Sequence, residues 1–367
     1  MVEYLIRKQL TMKRLFVYIT ILPLFLTGCQ NQPVSFDDYE LKAVYFPYQR
    51  PLRTLSLGED RLDNSLDKEG KFDIGVSIGG MYEQKWNWTV DYILDNSILE
   101  NVYTNSDPAL KILSLPSQYY TLSPTGTVSI PKGSFNGLIR VELTDAFFND
   151  SLSLTGLYVI PLRLTATSAD SILQGKPAIS NPDPRVIGDW ESNKYPKNWV
   201  MFGIKYINAY HGTYLHRGHE VITDKTSGDL IETVVFRNKY VEYDLLIKLI
   251  STGRRTAVSN GLANRTGGDY SMNLEFANDK GNVGSVTITP ADGSIYQVTG
   301  SGQYFDKASS TESWTGLTFQ SMYLSYTWEE EVDTVNHVFH VHNVKDTLVF
   351  RDRGIKFEEN AIRIIEP

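Results

Sequence analysis

The feature of this sequence that most constrains its fold is a two-residue alternation of apolar and polar side chains in short runs. In the segment GLIRVELT, Ile139, Val141 and Leu143 share one face of an extended strand. The other face carries Arg140 and Glu142. Side chains of a strand alternate between two faces, so this pattern predicts half-buried β-strands. Helical periodicity is nearly absent, and we therefore predict an all-β protein.

A proline-rich stretch divides the predicted strands into two groups. Residues 176–197 contain four prolines and little alternation, which is typical of a linker. Upstream, residues 39–175 hold about seven candidate strands, enough for a small β-sandwich. Downstream, residues 198–367 hold a longer series of strands joined by hairpin turns. We predict that this second series closes into an antiparallel barrel, because closure removes exposed sheet edges.

The first 28 residues have the pattern of a bacterial secretory signal. Lys13 and Arg14 give a positively charged start, and the apolar run LFVYITILPLFL follows at residues 15–26. This run is shorter than the roughly 20 residues that a membrane-spanning helix needs. We therefore interpret residues 1–28 as a signal peptide.

Cys29 is the sole cysteine of the chain and comes directly after this segment. The sequence LTGC, residues 26–29, resembles the lipobox of bacterial lipoproteins, in which the cysteine sulfur receives a diacylglyceryl group and the chain is cut before it. The resemblance implies a lipid anchor on Cys29 and a short tether over residues 29–38. More than one acyl chain makes anchoring durable, since each buried methylene contributes about 0.8 kcal/mol. The alternative is an ordinary secretory cleavage site.

Composition restricts the classes of partner and of chemistry. The formal net charge is −8 and no basic patch stands out, which makes nucleic acid and anionic lipid headgroups poor partners. A single cysteine allows no internal disulfide and no cysteine cluster for zinc. The sequence contains no phosphate-binding loop and no dinucleotide fingerprint, so we expect no cofactor. Contact with a membrane is expected through the lipid anchor alone.

Several stretches resemble modules of exported Bacteroidetes proteins. Three stretches, which begin FDIGVSIGG, LPSQYYTLS and YVIPLRLTA, resemble the module named domain of unknown function 1735. That module is an immunoglobulin-like β-sandwich common in lipoproteins of gut Bacteroidetes. The second half, from NWVMFGIKY to DRGIKFE, is similar to the lipocalin-like modules that accompany it. The resemblance implies a polysaccharide-utilisation protein that holds glycans, and it carries over no catalytic residues.

Aromatic side chains are the candidates for ligand binding, because the apolar faces of sugar rings stack on aromatic rings. Trp86 and Trp88 share one face of the strand KWNWTVDY, where they could form a stacking platform or fill the sandwich core. Trp314 and Tyr304 lie in the polar stretch 300–316, which fits an exposed binding loop. We take these four residues as candidate ligand contacts.

Histidines raise the question of a metal site. The segment HVFHVHN places His340 and His342 on one strand face, a spacing at which two side chains can share a metal. The alternative is a pair of polar residues at the rim of a barrel strand. We prefer that alternative and predict no metal, since the other histidines share no ligand spacing with this segment.

We expect a non-catalytic protein of the outer membrane, displayed at the cell surface rather than facing the periplasm. Its expected ligand is a glycan, and other glycan-uptake proteins are candidate partners. Two alternatives stay open: a glycan hydrolase of undescribed type, and a structural or fimbria-associated envelope subunit. The Asp-x-x-Asp-x-Asp-x-Glu motif of family-18 glycosidases is absent. The nearest approach is DRLDNSLD, residues 60–67, which lacks the third aspartate and the glutamate.

We predict that the mature polypeptide begins at Cys29 and carries covalent acyl chains. The intact mass of protein extracted from membranes should exceed that of residues 29–367 by the mass of those chains. A Cys29→Ser variant should lack this increment, because it has no sulfur to acylate. Recovery of an unacylated mature chain from the cytosol would contradict the prediction.

Overall fold

The computed structural model of the chain describes residues 37–60 and 63–365. The predicted signal peptide, Cys29 and most of the predicted tether lie outside these residues. Among the described helices, none is both long enough and apolar enough to cross a membrane.

Residues 37–40 and 80–83 form a small unit of their own. Within it, the Tyr39 amide donates to the Gly80 carbonyl at 3.0 Å, and the Tyr82 amide donates to the Asp38 carboxylate at 2.8 Å. Every helix and strand described below belongs to the second, larger unit.

The first module of this larger unit is a two-sheet β-sandwich. Its strands are β1 (Ala43–Tyr45), β2 (Pro51–Ser56), β3 (Lys71–Gly79), β4 (Trp88–Leu94), β5 (Val102–Thr104), β6 (Leu113–Ser114), β7 (Tyr120–Ser123), β8 (Thr127–Ile130), β9 (Asn136–Leu143), β10 (Tyr158–Thr167), β11 (Ser171–Ile172) and β12 (Trp199–Ile207). One sheet has the order β11-β1-β3-β9-β7, and the other has β2-β12-β10-β4-β8 with β6 beside β10.

Helical segments in both modules are short. They are α1 (Ser65–Lys68), α2 (Asp145–Phe148) and the 3-10 turns Asn96–Leu99, Ser117–Tyr119, Ser151–Leu154, Ile187–Asp189 and Val241–Tyr243. They connect strands and contribute few core residues, which agrees with the near absence of helical periodicity in the sequence.

The sandwich core follows the alternation seen in the sequence. On β9, Ile139 and Val141 are fully buried between the sheets, and Arg140 on the opposite face pairs with Asp73 of β3. The Phe72 ring of β3 stacks on Phe202 of β12, in the other sheet, with ring centres 5.4 Å apart. Burial of this inner face is what holds the two sheets together.

The second module is a closed antiparallel barrel. Its strands are β13 (Gly212–Asp224), β14 (Leu230–Phe236), β15 (Leu245–Ser251), β16 (Thr256–Ser259), β17 (Gly261–Leu262), β18 (Arg265–Thr266), β19 (Met272–Phe276), β20 (Gly284–Pro290), β21 (Val298–Phe305), β22 (Ser313–Trp314), β23 (Leu317–Thr318), β24 (Ser321–Asp333) and β25 (Val338–Asp352). The ring runs β13-β15-β16-β19-β20-β21-β24-β25 and closes by pairing of β25 with β13, while β14 branches from β13. The predicted fold class, an all-β sandwich followed by an antiparallel barrel, is confirmed.

Strand pairings divide the chain differently from the predicted boundary at residue 198. Strand β12 pairs antiparallel with β10 and parallel with β2, so it belongs to a sandwich sheet. The chain also returns to the sandwich after the barrel, where β26 (Glu358–Glu359) pairs with β2 and β27 (Ile362–Ile364) pairs with β5. Local alternation predicts a strand, but it does not reveal a partner that is distant in sequence.

The barrel lumen is filled with side chains. Met322 and Trp328 on β24 and Phe276 on β19 are among its fully buried members. Strand β21 approaches β24 closely because two of its inward positions are glycine. A Cβ atom at Gly300 would lie 2.4 Å from the Ser325 carbonyl oxygen, closer than any stable contact. The lumen is therefore a packed core, and the cavities described below lie outside it.

A buried polar cluster interrupts this apolar core. The Glu220 carboxylate on β13 accepts hydrogen bonds from Arg265 at 2.9 and 3.0 Å and lies 2.8 Å from Nδ1 of His342. The His342 ring stacks on Trp328 with ring centres 3.8 Å apart. Burial opposes ionisation of Glu220, but the hydrogen bonds and charges of His342 and Arg265 outweigh it and hold the pKa of this carboxyl below its usual value. Glu220 is therefore ionised at neutral pH.

Replacing Glu220 should destabilise the barrel. We expect Glu220→Gln to lower the free energy of unfolding by about 3 kcal/mol at pH 7, because Arg265 and His342 lose a buried charged partner. Since the folded-state pKa of Glu220 is depressed, its contribution is present above the unfolded pKa and is lost as pH falls below about 4.5. Urea denaturation at pH 7 and at pH 4 should show the difference between variant and wild type shrinking in acid.

The matched control is Glu232→Gln on β14, where the side chain is exposed. Its unfolding free energy should stay within about 0.5 kcal/mol of the wild type, as is usual for surface substitutions. Equal loss in the two variants would contradict a specific role for the buried cluster.

Candidate ligand-binding cleft

A cleft of about 500 Å³ lies where the end of β25 and the β22–β23 hairpin face β2 and the segment that includes α1. One part of its lining is aromatic and comes from the barrel. Another part is rich in carboxylates and comes from the sandwich. We call this cavity the Trp314 cleft, after the largest side chain on it.

The aromatic wall is built on a tight hairpin. Thr315 and Gly316 have φ values of +51° and +77°, the left-handed backbone that a two-residue type I′ turn requires. The Trp314 ring stacks on Phe319 with ring centres 4.7 Å apart and planes 23° apart. Its indole N–H donates to the Phe350 carbonyl at 3.3 Å. The ring is thus held in one orientation while part of its surface remains exposed.

The polar wall is organised around Asp67 of α1. This nearly buried carboxylate accepts hydrogen bonds from Arg53 at 2.6 Å and from the Ser56 amide at 3.0 Å. The Asn64 amide group donates to the carbonyls of Ser56 and Gly58 at 3.0 and 2.6 Å. These bonds hold the backbone after β2 against α1, which gives the cleft a stable polar edge.

A second carboxylate of this wall faces solvent. The Ser65 amide donates to Asp63 at 3.0 Å, and this hydrogen bond holds the pKa of Asp63 below its usual value. Asp63 is therefore ionised at neutral pH. Asp60 and Asp352 also line the cleft. The cavity combines an aromatic face with hydrogen-bond acceptors, an arrangement suited to a ligand with both apolar and hydroxyl surfaces.

Arg353 connects the two sides of the cleft. Its guanidinium donates to the His211 carbonyl at 2.7 Å and to the Glu59 carbonyl at 3.0 and 3.2 Å. It also lies over the Phe350 ring, 4.9 Å from the ring centre. Gly58 provides the necessary space, because a Cβ atom there would lie 2.1 Å from the guanidinium.

An apolar cavity of about 500 Å³ adjoins the Trp314 cleft, and Arg53, Thr54 and Ile355 line both. The exposed rings of Tyr48 and Phe357 meet at its mouth with centres 4.9 Å apart. An extended ligand could therefore contact aromatic rings at both ends of one continuous surface.

The structure corrects the expectation for Tyr304. The sequence pattern places it in an exposed loop, but residues 298–305 form strand β21 and Tyr304 is only 2% exposed. Its ring packs edge-on against Tyr210, with ring centres 4.8 Å apart, inside the barrel core. The glycines that suggest a loop are needed instead for the close approach of β21 to β24. Tyr304 is not a ligand contact.

Trp86 and Trp88 form a pair outside the Trp314 cleft. Trp86 is 46% exposed just before β4, and its ring centre lies 5.9 Å from that of Trp88. Val90 and Tyr92 on the same strand are buried in the sandwich core. The two tryptophans therefore lie on the sandwich, and neither lines the Trp314 cleft.

The two candidate metal-binding histidines are not brought to a common site. His342 is buried against Glu220 and Trp328, whereas His340 lies near the start of β25, opposite Asp224. Across residues 37–60 and 63–365, no group of three His, Cys, Asp or Glu side chains is arranged to hold a metal ion.

Most of the residues that shape the cleft are not evident in the sequence. Arg53, Asn64 and Phe319 belong to segments with no recognisable motif. The run DRLDNSLD at residues 60–67 resembles only an incomplete glycosidase motif. Its Asn and Asp residues, placed between a strand and a helical turn, were the available signal, since such side chains commonly bond nearby backbone.

The partly buried His211 beside Arg353 should make stability depend on pH. Burial, together with the charges of Arg353 and Lys205, lowers the pKa of His211 to about 4, and its Nδ1 accepts a hydrogen bond from the Ser251 amide at 3.2 Å. As pH falls, His211 is therefore protonated at a higher pH in the unfolded chain than in the folded protein. The contribution of His211 to the free energy of unfolding is complete above about pH 6.5. It is lost as pH drops toward 4, and this loss is at most about 3 kcal/mol.

We expect His211→Gln to flatten this dependence, which denaturant titrations at pH 7, 6, 5 and 4 would measure. The control is His337→Gln, because His337 is an exposed side chain in a turn. A wild-type and a His211→Gln curve with the same slope between pH 6.5 and 4 would contradict the assignment.

Comparisons with known proteins relate the chain to proteins of unknown function. A family model described as an N-terminal domain matches residues 36–171, and one described as domain of unknown function DUF5627 matches residues 209–354. No curated protein is significantly similar to the chain. The predicted relation to Bacteroidetes proteins with domains of unknown function is confirmed, while the specific relation to domain 1735 stays a prediction.

The solved structures include a relative with clear sequence similarity to this chain. A crystal structure from Bacteroides ovatus, described as structural genomics of unknown function, is 32% identical, has a TM-score of 0.76 and matches over 89% of this chain and 100% of that chain. Two other structures are distant. A multidomain protein including DUF1735 from Bacteroides ovatus is 12% identical, has a TM-score of 0.39 and matches over 88% of this chain and 99% of that chain. An auxiliary nutrient binding protein from Bacteroides thetaiotaomicron is 15% identical, has a TM-score of 0.37 and matches over 81% of this chain and 89% of that chain. TM-scores this low support no argument. At 32% identity over the whole of the first relative, the chain belongs to the same family as that Bacteroides ovatus protein.

Proposed function

We propose that this chain is a non-catalytic, lipid-anchored protein of the outer membrane that binds a glycan as a nutrient. The observation that carries the proposal is the stacked pair of Trp314 and Phe319 on a cleft that also has several carboxylates. Sugar rings have apolar C–H faces and polar hydroxyl edges, so an aromatic surface beside hydrogen-bond acceptors suits them. Anchoring through Cys29 and display at the cell surface belong to the same proposal and rest on the sequence.

Recognition in this cleft would use rigid parts. The Trp314 ring is oriented by its indole hydrogen bond and by Phe319, and the carboxylate edge is held by Asn64 and Asp67. A rigid site loses little conformational entropy when it binds, which favours affinity for flexible saccharides. The neighbouring Tyr48 and Phe357 rings extend the aromatic surface, so we expect oligosaccharides to bind more tightly than monosaccharides.

Truncation of the aromatic wall should weaken binding. We expect isothermal titration of the mature chain against plant and host glycans to identify a ligand, and Trp314→Ala to raise its Kd at least tenfold. Loss of a central aromatic anchor commonly costs about 2 kcal/mol or more, and 1.4 kcal/mol corresponds to a factor of ten. Trp314→Phe should keep most of the affinity, because it retains a ring at this position.

The matched control is Trp86→Ala, which removes an exposed tryptophan of the sandwich and leaves the cleft unchanged. Thermal unfolding of each variant would show that the fold is retained. Loss of binding in Trp86→Ala but not in Trp314→Ala would move the site to the sandwich and contradict the proposal. Absence of binding to every glycan tested would count against glycan recognition itself and leave the structural-subunit alternative.

The carboxylates of the cleft are the residues on which the hydrolase alternative can be tested. Hydrolysis of a glycosidic bond uses two carboxyl groups placed on either side of that bond. If incubation with the bound glycan released products, and Asp63→Asn abolished the release, the protein would be an enzyme. Binding without product release would support the proposal made here.

A further inference from the structure

The outer face of the barrel has a concave polar surface that is distinct from the Trp314 cleft. Its floor is formed by β21, β24, β25 and β13, which are neighbours in the sheet, and its volume is about 1020 Å³. Val235 and Arg237 at the end of β14 border one side, and Glu312 borders the other. We call this surface the barrel groove.

Strand register arranges the floor of the barrel groove in two rows of polar side chains. Each row crosses the four strands through directly paired residues. The first row is Gln303, Tyr323, Thr347 and Arg217, and the second is Ser301, Ser325, Lys345 and His219. Directly opposed side chains have Cβ atoms about 4.5–5.5 Å apart, so each row is a continuous series of hydrogen-bonding groups.

Most of these groups have no partner within the protein. Among the residues that the structure describes, none hydrogen-bonds to the side chains of Ser301, Gln303, Ser325 or Thr347. The Tyr323 hydroxyl donates to Glu312 at 2.8 Å. Exposed hydroxyl and amide groups at regular spacing match a ligand that also presents several hydroxyl groups.

The cations of the barrel groove are poorly matched by carboxylates. In the described part of the chain, Lys345 and Arg237 form no ion pair. Arg217 pairs with the buried Asp244 through Nε, but its Nη2 is buried without a hydrogen-bond partner. This arrangement is unusual in a chain whose net charge is −8.

The nearby acids do not cancel these charges at the groove surface. Among the described residues, the acidic ones that line the groove are Glu312 and Asp346, and Tyr323 already donates to Glu312. Asp346 belongs to the inward row of β25, where it accepts a hydrogen bond from Tyr326 at 2.7 Å. The outward face of the floor is therefore basic as well as rich in hydroxyl groups.

We propose that the barrel groove binds an acidic saccharide, whose carboxylate or sulfate group pairs with Lys345 and Arg237. The ring hydroxyls of the same ligand bond to the two polar rows. A membrane of anionic lipid fits less well, because a flat surface does not reach the floor of a concave groove. The site shares no residue with the Trp314 cleft, so this proposal goes beyond the function proposed for that cleft.

The test is calorimetric titration of the mature chain with an oligogalacturonate, a sulfated disaccharide and a neutral oligosaccharide of matched length. Inorganic sulfate and vesicles of anionic phospholipid complete the set. We expect one or both acidic saccharides to bind, more weakly at higher ionic strength. In a Lys345→Gln, Arg237→Gln double variant the Kd should rise at least tenfold, since a charge-assisted hydrogen bond contributes a factor of this size. The control is Lys248→Gln, an exposed cation on β15 outside the groove, which should change the Kd less than twofold.

Several results would overturn the proposal. They are failure of both acidic saccharides to bind, unchanged affinity for the acidic saccharides in the double variant, and a neutral oligosaccharide whose affinity falls in the double variant as much as theirs. Sulfate ion binding as tightly as the sulfated saccharide, or vesicle binding without saccharide binding, would overturn it as well. The double variant should retain any affinity for neutral glycans in the Trp314 cleft, so failure of one proposal is distinguishable from failure of the other.

Discussion

Arg353 is the side chain on which the geometry of the Trp314 cleft depends. It follows β25 in the chain and donates to the carbonyl of His211, just before β13, and to that of Glu59, beyond β2. A buried guanidinium is stable only when its donors are satisfied, so these three segments are held in one arrangement. Gly58 leaves the space for it. The cleft is thus formed by packed strands and a buried cation rather than by a free loop.

The barrel core shows a second constraint of the same kind. Apolar side chains would fill the lumen at lower desolvation cost than the cluster of Glu220, Arg265 and His342. A one-residue slip of β25 against β13 would turn His342 outward and leave Glu220 buried without that partner. The cluster therefore penalises alternative registers. Correct register also aligns the polar rows on the outer face of the same strands, so core and surface are specified together.

The candidate residues show which features of the structure a sequence pattern predicts and which it does not. Alternation correctly predicts that Ile139 and Val141 are buried, because the period of two is a property of every strand. It does not separate Tyr304, which is in the core, from Trp314, which lines a cleft, although both lie in one glycine-rich stretch. The difference depends on whether a neighbouring strand approaches, and that neighbour is set by pairing. Likewise, no local pattern indicates that Phe319 stacks on Trp314.

The sequence by itself determined the all-β class and the order of sandwich and barrel, because each depends on residues close together in the chain. Lipid attachment at Cys29 stays a prediction from the sequence. The tertiary structure alone decided that β12 belongs to the sandwich, that Arg53 and Trp314 border one cavity, and that Lys345 and Arg237 border another. These features arise from pairings between strands far apart in sequence. Alternation specifies which face of a strand is buried, but the choice of partner is made by packing of the whole sheet.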